Sequence, residues 1–515
     1  MNKSRQHRNW ILGICRRVAE AALALAIMLV PAILATGSTQ AQTYSYKVVH
    51  SFTGTPDGAY PPSYGAGATL DAKGNLYDTT ASGGAYDFGT VFKVNPAGKE
   101  TVLYSFTGQA DSGAPNAGLV RDAQGNLYGT TFGGGQSIWG TVFKLDTAGN
   151  LTTLYNLANA HALAGLVEDA QGNLYGTTYD GGVPNGSGMV YEVDNTGKET
   201  QLYAFTGGAD GSTPYGGVVL DAQGNLYGTT ASGGAYGSGT VFKLDTAGNE
   251  TVLYSFTGQA GGGGPEAGLV LDVQGNLYGT ASGGGINNCN YGCGTVFKVD
   301  PAGNETVLYS FAGAPDGATP LASLVRDAEG NLYGTTFSGG NSGCGPWQRC
   351  GTVFKVDTTG SETVLHRFTG LGGDGGNPWA AIALDAKGDL FGTTYDGGNL
   401  ACNAPTGCGT VFKLTPGKVT KTTTTLTSAP NPSTYGEAVT FAAMVAPAPP
   451  DGEIVSFMKG KTVLGTGLVS SGTATFVTST LKVGTTTGTA VYGGDSDFKA
   501  SKSKPVKQVV EKAGE

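Results

Sequence analysis

The sequence predicts an all-β protein, in which a seven-bladed β-propeller closed by an N-terminal strand is followed by an immunoglobulin-like β-sandwich. Three observations support this prediction. One sequence unit of four short apolar runs recurs along the chain in seven copies, and blades of the kelch type use four strands. One such run precedes the first copy, and the last copy lacks it. The GNLY-type element that marks the copies recurs at intervals of 47 to 58 residues, beginning at Gly74, Gly125, Gly172, Gly224, Gly275, Gly330 and, as GDLF, Gly388.

Residues 1–41 precede the repeats and have the pattern of a secretion signal. A basic segment is followed by the apolar stretch Ala21–Leu34, and Thr39 and Ala41 fit the small-residue positions before a cleavage site. The apolar stretch has 14 residues, fewer than the roughly 20 that span a bilayer. We therefore expect an exported protein, periplasmic, cell-surface or extracellular, with no membrane span in the mature chain.

The charge of the chain excludes some classes of partner. The net charge is −9, and the predicted signal holds five basic residues and one acid, so the remainder is more acidic still. Such a chain is unsuited to nucleic acid or to an anionic membrane surface. We expect a monomer, with carbohydrate or cell-envelope components as partners.

The copy Asp221–Gly258 shows how each repeat is organised. Two of its joins are short hairpins, D-x-x-G-N from Asp221 and DTAGNE from Asp245. Aspartate opening a turn and glycine in the left-handed position are typical of such hairpins. Calcium is the alternative explanation, but each turn offers one or two carboxylates where calcium takes about six to eight oxygen ligands. No metal or cofactor is expected.

The two ends of the repeat region predict ring closure. The TVLYSF-type run occurs first at Lys47–Phe52, before any GNLY element, and is missing after Gly409–Leu414. An open array would leave an unpaired strand edge, which closure removes. Pairing of Lys47–Phe52 with the seventh copy would therefore complete a propeller over residues 42–415.

Six cysteines form three local pairs in the lengthened joins of copies five, six and seven. Even pairs in an exported chain predict disulfides, and zinc is disfavoured because no CxxC spacing or nearby histidine is present. The predicted disulfides are Cys289–Cys293, Cys344–Cys350 and Cys402–Cys408.

The other two joins of each copy are long and variable, and by strand order both fall on one end of the ring. Variable loops on a rigid scaffold commonly carry binding sites. The residue six positions before the turn aspartate varies most: Gly65, Asn116, Leu163, Tyr215, Glu266, Leu321 and Trp379. With two tryptophans in neighbouring joins, the candidate ligand-binding residues are Tyr215, Glu266, Trp379, Trp139, Trp347 and Asn116. Aromatic rings there would stack on sugars or hold a peptide; the alternative is that they pack against adjacent loops.

No catalytic motif is present, and no catalytic residue is predicted. GxSxG, HExxH and P-loop patterns are absent from the sequence. We expect non-catalytic recognition at or outside the cell surface. Two alternatives remain open: a glycan hydrolase or lyase with carboxylates from different blades at the propeller mouth, and a structural spacer or surface-layer component.

Residues 416–515 lack the repeat pattern and hold at least four strand-like runs separated by Gly, Pro and Asn turns. About 100 residues of this kind suit an immunoglobulin-like sandwich. The segment contains no cysteine, so an inter-sheet disulfide is not expected.

The motifs GNLYGTT, GTVFK and TVLYSF resemble those of the GloVer tandem-repeat (choice-of-anchor) family of exported bacterial proteins, over Lys47 to about Leu414. PNPSTYGEAVTF and YGGDSDFKAS resemble bacterial Ig-like repeat domains of secreted and surface proteins. The resemblance implies export and no activity or catalytic residues. Many members end in an anchoring segment, but the sequence ends VEKAGE with no sorting motif or apolar tail, so no anchor is expected from the motifs.

Overall fold

A computed structural model describes residues 43–62, 67–133, 139–286, 289, 292–340, 350–370, 373–417, 420–449, 451–494 and 498–513. The predicted signal segment, Gly65, Cys344 and Trp347 lie outside these residues. One compact unit is Tyr44–Pro416, and a second contains Gly417–Glu515. Both are built from strands, and the described residues contain no helix.

The first unit contains the strands β1 (Tyr44–Ser51), β2 (Thr69–Leu70), β3 (Leu76–Thr80), β4 (Thr90–Val94), β5 (Glu100–Ser105), β6 (Val120–Arg121), β7 (Leu127–Thr130), β8 (Thr141–Leu145), β9 (Leu151–Asn156), β10 (Val167–Glu168), β11 (Leu174–Thr178), β12 (Met189–Val193), β13 (Glu199–Ala204), β14 (Val219–Leu220), β15 (Leu226–Thr230), β16 (Thr240–Leu244), β17 (Glu250–Ser255), β18 (Val270–Leu271), β19 (Leu277–Ala281), β20 (Thr295–Val299), β21 (Glu305–Ser310), β22 (Val325–Arg326), β23 (Leu332–Thr336), β24 (Thr352–Val356), β25 (Glu362–Arg367), β26 (Gly375–Gly376), β27 (Ala383–Leu384), β28 (Leu390–Thr394), β29 (Asp396–Gly397) and β30 (Thr410–Pro416).

These strands form seven antiparallel four-stranded sheets, one for each repeat. Six sheets use four consecutive strands, from β2–β5 through β22–β25, and β26 pairs with β29 alone. The second and third strands of each sheet carry the LYGTT and TVFK runs and are almost wholly buried, whereas the fourth strand is partly exposed. Apolar and β-branched residues suit strands buried on both faces.

The seventh sheet combines the two ends of the unit. Its strand order is β1, β30, β28, β27. β1 pairs antiparallel with β30, with Lys47 opposite Lys413 and Tyr44 opposite Pro416. The N-terminal run therefore occupies the fourth-strand position that the last repeat does not fill from its own sequence, as the sequence predicts.

Neighbouring sheets are joined by a repeated aromatic contact. Phe106, which ends the fourth-strand run of one repeat, meets Phe143 of the next edge to face, with ring centroids 5.3 Å apart. Phe52 and Phe92 make the same contact at 5.1 Å. These phenylalanines are fully buried, so the main core of the unit lies between the sheets.

The second unit contains β31 (Thr423–Ala429), β32 (Ser433–Thr434), β33 (Val439–Ala446), β34 (Ile454–Lys459), β35 (Thr462–Leu468), β36 (Thr473–Thr478), β37 (Gly484–Tyr492), β38 (Ser501–Lys502) and β39 (Val506–Glu511). One sheet has the order β31, β33, β36, and the other contains the remaining strands around β37. Phe441 and Val439 from the first sheet pack with Phe457 and Tyr492 from the second in one core.

Candidate functional site

Two positions of each repeat form what we call the rim. One position directly follows the Thr-Thr (or Thr-Ala) pair at the end of the second strand. The other position begins the segment that leads into the first strand of the same repeat. The backbone N–H of the former donates to the C=O of the latter in all seven repeats. The pairs are Ala81–Tyr60, Phe132–Ala114, Tyr179–His161, Ala231–Thr213, Ser282–Gly264, Phe337–Thr319 and Tyr395–Asn377, with N···O distances of 2.8 to 3.1 Å.

The rim lies at the variable end of the sheets. Antiparallel strand order places the short hairpins, such as Asp221–Asn225, at the opposite end. Several rim residues hold a left-handed backbone that non-glycine residues rarely adopt, including Tyr60 at φ 55° and Asn377 at φ 52°. Such conformations persist where the surrounding structure fixes them, and they are concentrated at functional sites.

One arc of the rim is a column of aromatic rings. Phe132 stacks on His161 at 4.8 Å, His161 on Tyr179 at 5.7 Å, and Tyr179 on Tyr215 at 5.5 Å between ring centroids, with interplanar angles of 21°, 19° and 17°. Trp139 meets His161 edge-on at 4.7 Å. All five side chains are half-buried, so part of each ring is open to solvent. We call this set the first arc.

A carboxylate fixes the central ring of the first arc. Asp180 Oδ2 lies 2.8 Å from His161 Nδ1, and Asp180 Oδ1 accepts the His161 backbone N–H at 2.7 Å. A carboxylate only accepts hydrogen bonds, so Nδ1 carries the hydrogen in this contact. Both oxygens of Asp180 are therefore engaged by one residue.

A second arc joins the sixth, seventh and first repeats. Phe337 stacks on Trp379 at 4.7 Å and 8°, Trp379 meets Tyr395 edge to face at 5.3 Å, and Tyr395 stacks on Tyr60 at 4.8 Å. Asn377 Nδ2 donates to Asp396 Oδ2 at 2.5 Å beside these rings. Burial raises the pKa of Asp396 to about 6, and the hydrogen bond from Asn377 opposes that rise.

Glu266 lies beyond the end of the first arc. The Ser282 hydroxyl is 2.9 Å from Gly264 O and 3.1 Å from Glu266 Oε1. Burial raises the pKa of Glu266. Burial also raises the pKa of Tyr215, with a smaller contribution from the negative charge of Glu266.

The sequence profile of the Gloeobacter/Verrucomicrobia repeat matches the chain in overlapping segments, residues 38–162, 64–290, 157–347 and 289–482. The chain belongs to this repeat family. The family membership expected from GNLYGTT, GTVFK and TVLYSF is thus confirmed for the repeats. No curated protein is significantly similar to the chain.

Solved structures resemble this repeat protein only distantly. The extracellular domain of a one-component system from B. thetaiotaomicron is 14% identical with a TM-score of 0.46, over 92% of this chain and 58% of that one. A structural genomics protein of unknown function from Bacteroides thetaiotaomicron is 15% identical with a TM-score of 0.35, over 73% and 98%. Dipeptidyl peptidase 4 of Porphyromonas gingivalis is 12% identical with a TM-score of 0.33, over 84% and 58%. The chain thus spans about three fifths of the first and third of these proteins, and such scores establish no shared fold or activity.

The predicted site residues of this repeat protein that the structure describes lie beside the rim positions, in different repeats. Tyr215 and Trp139 belong to the first arc, Trp379 belongs to the second, and Glu266 neighbours Tyr215. Asn116 is half-buried, two residues after Ala114 of the rim. Sequence reasoning missed the rim residues Phe132, His161, Tyr179, Phe337, Asn377, Tyr395 and Tyr60 and the adjoining carboxylates Asp180 and Asp396.

Two of the predicted disulfides are present in the joins of the fifth and seventh repeats. Cys289 and Cys293 are bonded with 5.1 Å between their Cα atoms, and Cys402 and Cys408 with 5.9 Å. Cys344 lies outside the described residues, so its bond to Cys350 stays a prediction. Neither a cluster of three His, Cys, Asp or Glu suited to a metal ion nor a helix able to cross a membrane occurs among the described residues.

Proposed function

We propose that the Tyr44–Pro416 unit is a closed seven-bladed β-propeller whose rim binds a saccharide without chemical conversion. Closure is supported by contacts between the first and last repeats. β1 completes the seventh sheet, and the edge-to-face pair Phe52–Phe92 repeats the contact that joins the other sheets. Gly67 of the first repeat lies so close to Ala381 of the seventh that a Cβ on Gly67 would be 2.0 Å from the Ala381 carbonyl oxygen.

The proposal includes export and an Ig-like second domain. Disulfides form and persist in oxidising compartments, so the bonds Cys289–Cys293 and Cys402–Cys408 support a location outside the cytoplasm. Two strand layers packed on Phe441 and Phe457 support an Ig-like sandwich for residues 416–515. Domains of this kind serve as spacers or surface modules, which suits a recognition protein.

Ring stacking at the variable end is the observation that carries the binding proposal. Two arcs bring at least nine aromatic or imidazole rings into mutual contact at one end of the sheets. Most of these rings are half-buried, so their mutual packing fixes their orientation while leaving surface exposed. Pre-oriented aromatic surfaces flanked by a few polar groups are typical of sites that bind sugar rings.

The charge at the rim restricts the class of saccharide. Asp180, Glu266 and Asp396 lie on or beside the rim, and none of the fourteen rim positions is lysine or arginine. A buried carboxylate with a raised pKa disfavours a second negative charge nearby. The ligand is therefore a neutral or positively charged saccharide rather than a uronic acid polymer or a phosphorylated glycan.

The experiment is a binding screen with neutral, amino-bearing and acidic oligosaccharides, with the products followed by chromatography. Against the best ligand, Trp379→Ala and Tyr215→Ala are titrated beside Val273→Ala. Val273 is 96% exposed on a hairpin at the opposite end and is the matched control. Loss of a contacting aromatic should weaken binding about tenfold to a hundredfold, and the control should bind as wild type.

Two results would contradict the proposal. If no saccharide binds, or if both aromatic variants keep full affinity, the rim is not a saccharide site. If the bound oligosaccharide is cleaved, the rim carboxylates act as an enzyme, and the non-catalytic assignment is wrong.

A further inference from the structure

The third and seventh repeats share a local motif that the other repeats lack. Both contain TTYDGG, which places Tyr179 and Asp180 in one repeat and Tyr395 and Asp396 in the other. In each repeat the aspartate accepts a hydrogen bond from the side chain of the rim residue that bonds the preceding tyrosine. That residue is His161 for Asp180 and Asn377 for Asp396. The chain thus holds two versions of one arrangement, and their hydrogen bonds can be compared directly.

The two carboxylates differ in how fully they are satisfied. His161 supplies Asp180 with two donors, a backbone N–H and a ring N–H, one to each oxygen. Asn377 supplies Asp396 with one donor, its Nδ2. Among the described residues no further hydrogen bond or cationic side chain reaches Asp396. Both oxygens of Asp180 are therefore engaged, whereas Asp396 has one oxygen to which no donor of the described residues is bonded.

Asn377 adds a second unused acceptor. Its side chain must turn Nδ2 toward the carboxylate, because a carboxylate can only accept, and this leaves the carbonyl oxygen Oδ1 facing elsewhere. Asn377 is 8% exposed, and Oδ1 has no hydrogen-bond partner among the described residues. A buried polar atom without a partner is costly, and in native structures it commonly marks a place where an unseen water, ion or ligand binds.

Aromatic rings complete the surroundings. Tyr395 precedes Asp396 in the chain, Trp379 meets Tyr395 at 5.3 Å, and Tyr60 stacks on Tyr395 at 4.8 Å. Ring faces attract cations, tryptophan most strongly. Burial holds the pKa of Asp396 at about 6, so the ionised carboxylate gains free energy when a cation approaches it.

We propose that Asp396, positioned by Asn377 and flanked by Trp379 and Tyr395, binds the ammonium group of an amino sugar. The ammonium group would satisfy the Asp396 oxygen that the protein leaves unused, and the sugar ring would lie against the second arc. This subsite rests on the proposed saccharide-binding function and defines its ligand class. The Asp180–His161 pair, which is already satisfied, does not form a corresponding subsite.

The test compares a β-1,4-linked glucosamine oligosaccharide with its N-acetylated counterpart of the same length, by calorimetry at pH 7. Wild type should prefer the free amine by about tenfold or more. Asp396→Asn should remove the preference, because affinity for the free amine falls far more than affinity for the N-acetylated ligand. Asn377→Gly, which tolerates the left-handed backbone of this residue, should reduce the preference because the carboxylate loses its positioning donor. Trp379→Ala should weaken binding of both oligosaccharides.

Asp180→Asn is the matched control, because it changes the equivalent carboxylate of the third repeat, and it should keep the preference. The inference is overturned if wild type binds both oligosaccharides equally, if Asp396→Asn keeps the preference, or if Asp180→Asn loses it. Each of these results would leave saccharide binding itself intact. If neither oligosaccharide binds wild type and the wider screen is also negative, the proposed function falls together with the subsite.

Discussion

Asp78 lies directly opposite Phe92 in the first sheet, where the other six repeats place glycine opposite an aromatic residue. At Gly129, for example, a Cβ would come within 2.7 Å of the Phe143 ring and 2.8 Å of Leu119. Leu119 stands three residues before its turn aspartate, and the first repeat has Ala68 at that position. The shorter side chain of Ala68 leaves the room that the Asp78 side chain needs.

Restoring the pattern of the other repeats should therefore stabilise the protein. Asp78 is fully buried; its Oδ1 accepts the Thr79 N–H at 2.9 Å, and its Oδ2 has no partner among the described residues. We expect Asp78→Gly combined with Ala68→Leu to raise the free energy of unfolding at pH 7 by ~2 kcal/mol, measured by urea denaturation. Ala68→Leu alone should destabilise, since leucine and the carboxyl would overlap. A double variant no more stable than wild type would contradict this account of the pair.

The same carboxyl should make wild-type stability depend on pH. Burial raises the pKa of Asp78 well above its ordinary value, so above about pH 4 the unfolded chain releases a proton that the folded chain retains. Stability then falls as pH rises from about 4 toward the folded-state pKa, by up to about 1.4 kcal/mol per pH unit. The stability advantage of the double variant over wild type should accordingly grow between pH 4 and pH 7. An advantage that stays constant with pH would show that Asp78 does not titrate in this way.

Ring closure predicts that the first strand is essential. Deleting Tyr44–Phe52 removes the partner of β30 and exposes an unpaired strand edge, so the melting temperature should fall sharply and the protein should self-associate. Replacing the exposed β1 residues Ser45 and Lys47 by alanine keeps the strand and serves as the control. A deletion variant that melts like wild type and remains monomeric would show that the ring is not closed by β1.

The disulfides can be checked by mass spectrometry of peptides prepared without reduction. We expect the links Cys289–Cys293 and Cys402–Cys408 seen in the structure, together with the predicted Cys344–Cys350. Because each link encloses only a short loop, its removal by paired Cys→Ser substitution should cost on the order of 2 kcal/mol or less. Links between different repeats, or free thiols in exported protein, would be inconsistent with local pairing.

The strands could be predicted because the repeats supply their own alignment. NLYGTT and GTVFK recur with little change, and both form strands with the same register in each sheet. The position of Lys47–Phe52 also followed from counting runs, since the seventh repeat lacks one. The repeated motifs are therefore sufficient to predict the strands and their order within each sheet.

The arcs could not be predicted in the same way, because their contacts join different repeats. His161 stacks on Phe132 of the preceding repeat, and Trp379 stacks on Phe337. The residue after the Thr-Thr pair is not among the predicted site residues, although its variation from Ala81 to Tyr395 is visible in the sequence. Tyr60 is missed because the rim position lies eight residues before the turn aspartate in six repeats, as Asn377 does before Asp385, and eleven before Asp71 in the first. The variable position chosen from the sequence lies six residues before the turn aspartate, which is Gly65 in the first repeat.

The seven hydrogen bonds that define the rim use only backbone atoms. The backbone of the rim is therefore held in the same way whichever side chain stands at each position. Alanine, histidine, threonine, glycine, tyrosine and asparagine all occupy the same place in the bond without altering it. Replacing a rim side chain therefore keeps its supporting hydrogen bond, although a ring of either arc also stacks on a ring of the neighbouring repeat, as His161 does on Phe132. The rim is therefore a suitable starting point for grafting new specificities, provided that the stacked rings of each arc are exchanged together.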